Sequence, residues 1–283
     1  MPRKINSYYT EKSATYDSGT DQLFIEIGTD EIICLIKGGE SQLIEGFELF
    51  HIENPHREWS DIFSDLIPKS HLLNKTYGET NCFYNFEEAV IIPKEKFKVS
   101  SAEDYLSLLY GESNDYDIKY DSIDLVDPLE QMIIAYRIKR SVNDLMNKHF
   151  VLYKPHHVYS CFVKDMLSRK ESEAHFVKLH LYSNHLIVTL VKDRKLQLIQ
   201  SFKYERTEDI LYHIVNITNQ FTLHASIAQL EISGIFEENA LLQDQLQLYF
   251  GKINFDIMAL SGVFENIDDQ PPHSFTHYSK LVI

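Results

Sequence analysis

Residues 23–49, LFIEIGTDEIICLIKGGESQLIEGFEL, are answered half a chain later by residues 177–204, VKLHLYSNHLIVTLVKDRKLQLIQSFKY. Aligned on Ile27 and Leu181, the apolar positions coincide through two successive strands. After a one-residue slip at the second turn, Gln42-Leu43-Ile44 falls on Gln197-Leu198-Ile199 and Phe47 falls on Phe202. Each copy reads as a three-stranded meander. Its first turn is polar and tight (Gly28-Thr29-Asp30; Ser183-Asn184), and so is its second (Gly38-Gly39; Asp193-Arg194). Two copies of one supersecondary unit at this separation indicate a duplicated architecture.

The rest of the chain fits around these copies. In the first, residues 32–36 are apolar without alternation, the pattern of a strand covered on both faces. A helix follows with Trp59, Ile62, Phe63, Leu66 and Ile67 at spacings of three and four, Pro55 in its first turn and Pro68 ending it. Residues 81–84 and 89–92 read as a hairpin, and Ser100 and Glu103 have capping-box spacing before a short helix. The aspartate-rich stretch 115–127 reads as a solvated loop, because its spacing is wrong for a calcium loop and the mid-loop glycine is absent. A strand at 133–138, a helix capped by Ser141, a strand at 150–152 and a turn at 154–157 lead into a helix to about Arg169. Residues 170–173 form a polar joint. The second half then reads β-β-β-α-β-α-β, with Thr207 as a helix cap and a last strand over 253–260.

Composition bounds the function. The 283 residues are 44% apolar and carry a formal net charge of −15. Nucleic-acid binding needs a basic stripe to displace counterions from phosphate, and this chain has none, so no nucleic-acid partner is expected. No run approaches the ~20 apolar residues that cross a bilayer, so no membrane insertion is expected. Residues 1–20 are polar and read as a loosely held lead-in rather than a secretory signal. Three scattered cysteines, Cys34, Cys82 and Cys161, read as free thiols in a reducing compartment, the cytoplasm.

Three meandering strands followed by α-β-α-β, present twice, resemble the actin-like ATPase architecture. Its fold class is α/β, with duplicated ribonuclease H-like lobes whose mixed sheets are flanked by helices. The second half is similar to the corresponding lobe of pilus-assembly and secretion proteins of that superfamily. The whole chain resembles an uncharacterised bacterial domain of unknown function with this fold. Residues 177–204, Leu230-Glu231-Ile232-Ser233-Gly234 and Pro271-Pro272-His273-Ser274-Phe275 carry that likeness. The resemblance implies a first lobe over 21–170, a second over 171–265, and a tail over 266–283 folding back with Phe275 as anchor.

It also implies where a nucleotide would sit. Active members use an acidic residue and glycines at the first turn of each lobe, where main-chain N–H groups cradle phosphates and carboxylates hold hydrated Mg²⁺. Here the first turn offers Glu26, in place of the usual aspartate, with Gly28 and Thr29. The second offers His180 in place of the carboxylate, then Tyr182 in place of glycine, then Ser183. The Gly-Gly turn against the nucleoside survives in part as Ser233-Gly234. These eight residues form the candidate vestigial pocket. Since a phenol ring at 182 would bar phosphate from the main chain, the reading favours a non-catalytic scaffold without cofactor that binds another protein. A nucleotide-binding ATPase using ATP and Mg²⁺ is the alternative.

Other constellations are thinner. His273 and His277 at i, i+4 could face a metal, but no third ligand is near, and packing is expected instead. Nuclease chemistry needs converging strand-end carboxylates, of which only Glu26 is present. Cys34 lies in an apolar strand, unlike an activated thiolate. Walker and dinucleotide fingerprints are absent.

Overall fold

In the computed structural model, residues 1–10, 19–124, 131–168, 174–234, 240–257, 270–271 and 273–282 are described. The chain divides into two compact units, the first built mainly from Met1–Cys161 and the second mainly from Phe162–Leu260 with Ile267–Lys280. The division falls inside a helix, ahead of the polar joint at 170–173.

The first unit contains, in chain order, β1 (Pro2–Tyr9), β2 (Gln22–Gly28), β3 (Glu31–Lys37), β4 (Ile44–Ile52), α1 (Trp59–Leu66), β5 (Glu79–Asn85) and β6 (Ala89–Pro93). It continues with α2 (Ala102–Tyr110), β7 (Tyr116–Ile123), β8 (Met132–Lys139), α3 (Arg140–His149), β9 (Lys154–His157) and the start of α4 (Val158–Ser168). Its main sheet has the order β1-β4-β3-β2-β5-β9, and β6-β8-β7 form a separate antiparallel sheet. Strand β3 lies between β2 and β4, and Ile32, Ile33, Cys34, Leu35 and Ile36 are all fully buried. The absence of alternation there reflects cover on both faces.

The second unit contains β10 (His175–Leu181), β11 (His185–Lys192), β12 (Lys195–Lys203), α5 (Thr207–Gln220), β13 (Gln229–Gly234), α6 (Ala240–Tyr249), β14 (Lys252–Phe255) and α7 (Thr276–Ser279). Its sheet has the order β12-β11-β10-β13-β14. The meander β10-β11-β12 is antiparallel, whereas β13 pairs parallel with both β10 and β14. Strands β4-β3-β2-β5-β9 of the first unit repeat this order and these directions. The α/β fold class read from sequence therefore stands. The turn between β11 and β12 puts Asp193 and Arg194 at φ 52° and 62°, the primed geometry that matches strand twist in a two-residue hairpin.

Period-two alternation assigns the faces of the second sheet. Val177, Leu179 and Leu181 of β10 join Leu186, Val188 and Leu190 of β11, Leu230 and Ile232 of β13, Ile210, Ile214 and Ile217 of α5, and Leu242 and Leu246 of α6 in one core. The opposite face of β10 presents Lys178 and His180, paired in register with Glu231 and Ser233 of β13.

Several local expectations are corrected. Within residues 1–20, Pro2–Tyr9 form β1, which pairs antiparallel with β4 at one edge of the sheet, so this part of the lead-in belongs to the fold. Residues 81–84 and 89–92 do not form a hairpin, because β5 pairs with β2 and β6 pairs with β8. The stretch 116–123 is strand β7, not a loop. Its Asp121 is buried and accepts from the His157 amide at 2.8 Å and Ser160 Oγ at 2.5 Å, which satisfies donors at the start of α4. Residues 150–152 form a turn with Leu152 at φ 60°, and the strand lies instead over β9, where Pro155 is tolerated on an outer strand. Ser100, Ser141 and Thr207 are not caps; Ser101, Lys139 and Arg206 hold those positions. Helix α1 begins only at Trp59, leaving Pro55 outside it, and the last strand stops at Phe255, with 258–260 beyond the described residues.

Beyond its backbone pairing with β4, β1 is tied down by a single carboxylate. Glu48 of β4 is fully buried and accepts from Lys4 Nζ at 2.7 Å, Tyr9 Oη at 2.5 Å, the His71 amide at 2.9 Å and Ser70 Oγ. Burial alone would raise its pKa, but the hydrogen bonds from Lys4, Ser70, Tyr9 and His71 outweigh it and hold the carboxyl below its ordinary 4.5. Stability from this lowered pKa is complete above pH ~4.5 and is lost as pH falls through the folded value. Replacement Glu48→Ala should cost about 3 kcal/mol in urea unfolding at pH 7, since it strands buried donors. A loss below about 1 kcal/mol would show that β1 is held by other means.

Candidate functional site

The turn after β2 belongs to the first unit. Glu26 is buried and accepts from Asn85 Nδ2 of β5 at 2.8 Å, while Thr29 is exposed. Gly28 has no positive φ. A Cβ there would lie 3.4 Å from the Glu31 carbonyl oxygen, at ordinary contact distance. The fold itself therefore makes no demand for glycine at 28.

The turn after β10 is built differently. His180, standing where the resemblance implies a carboxylate, is fully buried, places Nδ1 2.8 Å from Ser233 Oγ and stacks on Phe162 at a centroid distance of 3.8 Å. Tyr182 is 2% exposed. Its ring stacks on His185 at 4.5 Å with an interplanar angle of 8°, and meets the edges of His277 and Tyr278 at 4.8 and 5.8 Å. Its main chain is also engaged: the amide donates to the His185 carbonyl at 2.9 Å, and the carbonyl accepts from Tyr204 Oη. Ser183 is exposed.

Gly234 closes the same region. Its φ is +111°, and a Cβ would collide with the Leu181 main chain, so glycine is obligatory for parallel β10 and β13 to end side by side. Its amide donates to the His273 carbonyl at 2.9 Å. Residues 273–280 thus cover the ends of these strands, and His273, Ser274, Phe275, Thr276, His277, Tyr278, Ser279 and Lys280 are all buried. His273 stacks on Phe255 at 4.3 Å, and His277 lies 3.7 Å from Tyr278, so both histidines pack against aromatic rings. Among the described residues, no three His, Cys, Asp or Glu side chains gather around a metal position.

Lys280 ends this segment in an ion cluster. Its Nζ lies 2.9 Å from Asp165 of α4 and 3.5 Å from Asp256. Lys178, itself 1% exposed, lies 2.9, 3.0 and 2.5 Å from Asp165, Glu231 and Asp256. An open cavity of about 720 Å³ borders the cluster, lined in part by Asp165, Glu231, Asp256 and Lys280.

Electrostatics fix the charge state of the aromatic patch. Burial, reinforced by Lys203, pulls His185 down to about 4, and burial with the charges of His185 and Lys178 pulls His277 down to about 3. Both rings are neutral at pH 7. Among the described residues neither ring nitrogen of His277 has a hydrogen-bond partner. Burial also pushes the Cys34 and Cys82 thiols well up, away from thiolate chemistry.

Of the eight sequence-predicted residues, His180, Tyr182, Ser233 and Gly234 meet at one end of the second sheet, with Ser183 exposed beside them. Glu26, Gly28 and Thr29 form the separate turn of the first unit. Residues not singled out from sequence complete both turns: Asn85 beside Glu26, and His185, Tyr204, Lys178 and Lys280 around the second. The one signal for Lys178 was a lysine between the apolar Val177 and Leu179 within a strand.

A Bacteroides thetaiotaomicron protein with an actin-like ATPase fold and unknown function is 15% identical, with 94% of this chain and 96% of that chain covered and a TM-score of 0.78. PilM in the PilM–PilN type IV pilus biogenesis complex is 11% identical, with 92% and 97% covered and a TM-score of 0.54. These likenesses establish the actin-like fold. No curated protein matches. No helix among the described residues is long and apolar enough to cross a membrane. The family model described as protein of unknown function, DUF3822, matches residues 10–253, and the chain belongs to that family.

Proposed function

We propose that this chain is a duplicated, non-catalytic actin-like scaffold that acts by binding another protein. One observation carries the reading: the main-chain groups of the second unit that would meet a nucleotide, at the phosphate turn and at the nucleoside turn, are already bonded within the protein. The Tyr182 amide serves His185, and the Gly234 amide serves His273. The Tyr182 ring and residues 273–280 fill the space beside them, so a phosphate would have to displace packed side chains before meeting an N–H donor. A protein partner accords with the neighbour PilM, which stands in a complex with PilN. An acidic chain without a basic patch gives no reason to add a nucleic-acid partner.

A second reading, a nucleotide-switched ATPase, is favoured by Gly28 alone, a glycine that the fold does not need. Calorimetry with ATP and Mg²⁺ on the full chain separates the two. The scaffold reading expects no saturable heat up to millimolar nucleotide. Micromolar binding would refute it.

Closure of the aromatic patch should also depend on pH. His277 and His185 have folded pKa values of about 3 and 4 against an ordinary 6.5, so below pH 6.5 the unfolded chain takes up protons that the packed rings refuse. Stability therefore falls as pH falls from about 6.5 toward 4, by roughly 2 kcal/mol for each of the two histidines between pH 7 and pH 5. The urea midpoint should drop over this range, and His277→Phe should shrink the drop. Equal midpoints for the wild-type chain at the two pH values would contradict the buried neutral histidines.

A further inference from the structure

Residues 273–280, His-Ser-Phe-Thr-His-Tyr-Ser-Lys, are chemically unlike a permanent core segment. Only Phe275 and Tyr278 bring large apolar surface. His273, Ser274, Thr276, His277, Ser279 and Lys280 are polar, yet each is buried to 8% exposure or less. The attachments are of the kind found where a peptide docks. A main-chain carbonyl, that of His273, takes the Gly234 amide. An aromatic and imidazole pair, Tyr278 and His277, seats on the Tyr182 ring. A lysine reaches two carboxylates, Asp165 and Asp256, at the edge of an open cavity. Mixed polar and aromatic contacts with a terminal charge mark a recognition surface rather than a core.

The cost of this burial points the same way. The imidazole of His277 is fully buried with neither nitrogen hydrogen-bonded among the described residues, a penalty that a permanently buried residue would avoid by being apolar. Asp165 and Asp256 each keep Lys178 at 2.9 and 2.5 Å, so releasing Lys280 does not leave either carboxylate without a cation. The core of the second sheet lies on its other face, among Val177, Leu179, Leu230 and Ile232, and does not include the segment.

We propose that residues 273–280 are a self-ligand and that the face beneath them is a peptide-docking site. The partner it fits is a protein segment of the same chemistry: a free main-chain carbonyl for Gly234, an aromatic ring five residues on for Tyr182, and a lysine two residues further for Asp165 and Asp256. The proposal rests on the scaffold reading and names the site through which that scaffold binds. Intramolecular tethering gives the segment a high effective concentration, so a partner engages only when the strap has opened.

Two measurements on the full-length chain decide it. In native-state hydrogen exchange of the wild type, the Gly234, Tyr278 and Ser279 amides should exchange at least about 100-fold faster than those of Leu179 and Ile232, through local opening of the strap. A fluorescein-labelled octapeptide of sequence 273–280 should bind Lys280→Met saturably, and at least about ten-fold more tightly than it binds the wild type. Strap amides that exchange together with Ile232 would make the segment an integral part of the fold and end the proposal. So would a folded Lys280→Met chain that binds no peptide. Should Lys280→Met fail to fold, the wild-type exchange pattern decides alone. A failed exchange test leaves the scaffold reading standing, whereas ATP binding ends that reading without bearing on strap opening.

Discussion

The second unit is organised around the buried ammonium of Lys178. An ammonium removed from water costs several kcal/mol unless its surroundings restore what solvation supplied. Here three carboxylates do so, and each comes from a different place: Asp165 from α4, Glu231 from β13, and Asp256 from just beyond β14. Removing the lysine would take from each of three confined carboxylates its ion pair with this ammonium. The charge is thus a constraint on assembly, because α4 and the ends of two parallel strands must converge before the lysine can be buried.

That constraint also divides the labour between the two faces of the sheet. The face of Val177, Leu179 and Leu181 needs no specific partner, since apolar side chains from α5 and α6 cover it by volume and hydrophobicity alone. The face of Lys178 and His180 cannot be covered so loosely. Its charged groups require partners in place, so α4 and residues 273–280 meet Lys178 and its carboxylates with Asp165 and Lys280, while Phe162 stacks on His180 and Met166 packs on Phe176. One face supplies stability in bulk, and the other specifies which elements may lie on it.

The same distinction decides what the sequence could disclose. Apolar periodicity exposed both meanders, the parallel strands β5 and β13, and the helices α1 and α5, because burial against a sheet is a local and repetitive demand. Polar pairings were not legible. Glu48 meets Lys4 from 44 residues away, Asp121 meets the amide of His157, and Lys178 meets Asp256, 78 residues distant. Asp121 read as part of a solvated loop and Lys4 as part of a loose lead-in because their partners were out of view, and Lys178 was not singled out at all. The loop reading fails over 116–123, and the loose lead-in over 2–9, for this reason. The candidate site divided likewise: substitution of bulky Tyr182 at a glycine position was visible, while its neighbours His185, His277 and Tyr204 became meaningful only once the fold had assembled them.

The glycines sharpen the functional argument. Counted as motif letters, Gly28 at the phosphate turn and Gly234 at the nucleoside turn are equivalent remnants of a nucleotide site. Physically they are opposites. Gly234 is fixed by a φ of +111° and by the Leu181 main chain pressed against it, so the strand pairing alone accounts for its presence whether or not a nucleotide ever binds. Gly28 lies in ordinary backbone with room for a Cβ, so the strand pairing does not account for it. The weight of any nucleotide hypothesis therefore falls on the turn of the first unit, where Glu26 is already bonded to Asn85, and not on the second unit, where glycine serves the sheet and its amide serves the chain's own C-terminal segment. A motif residue supports a ligand only when the fold has no other use for it.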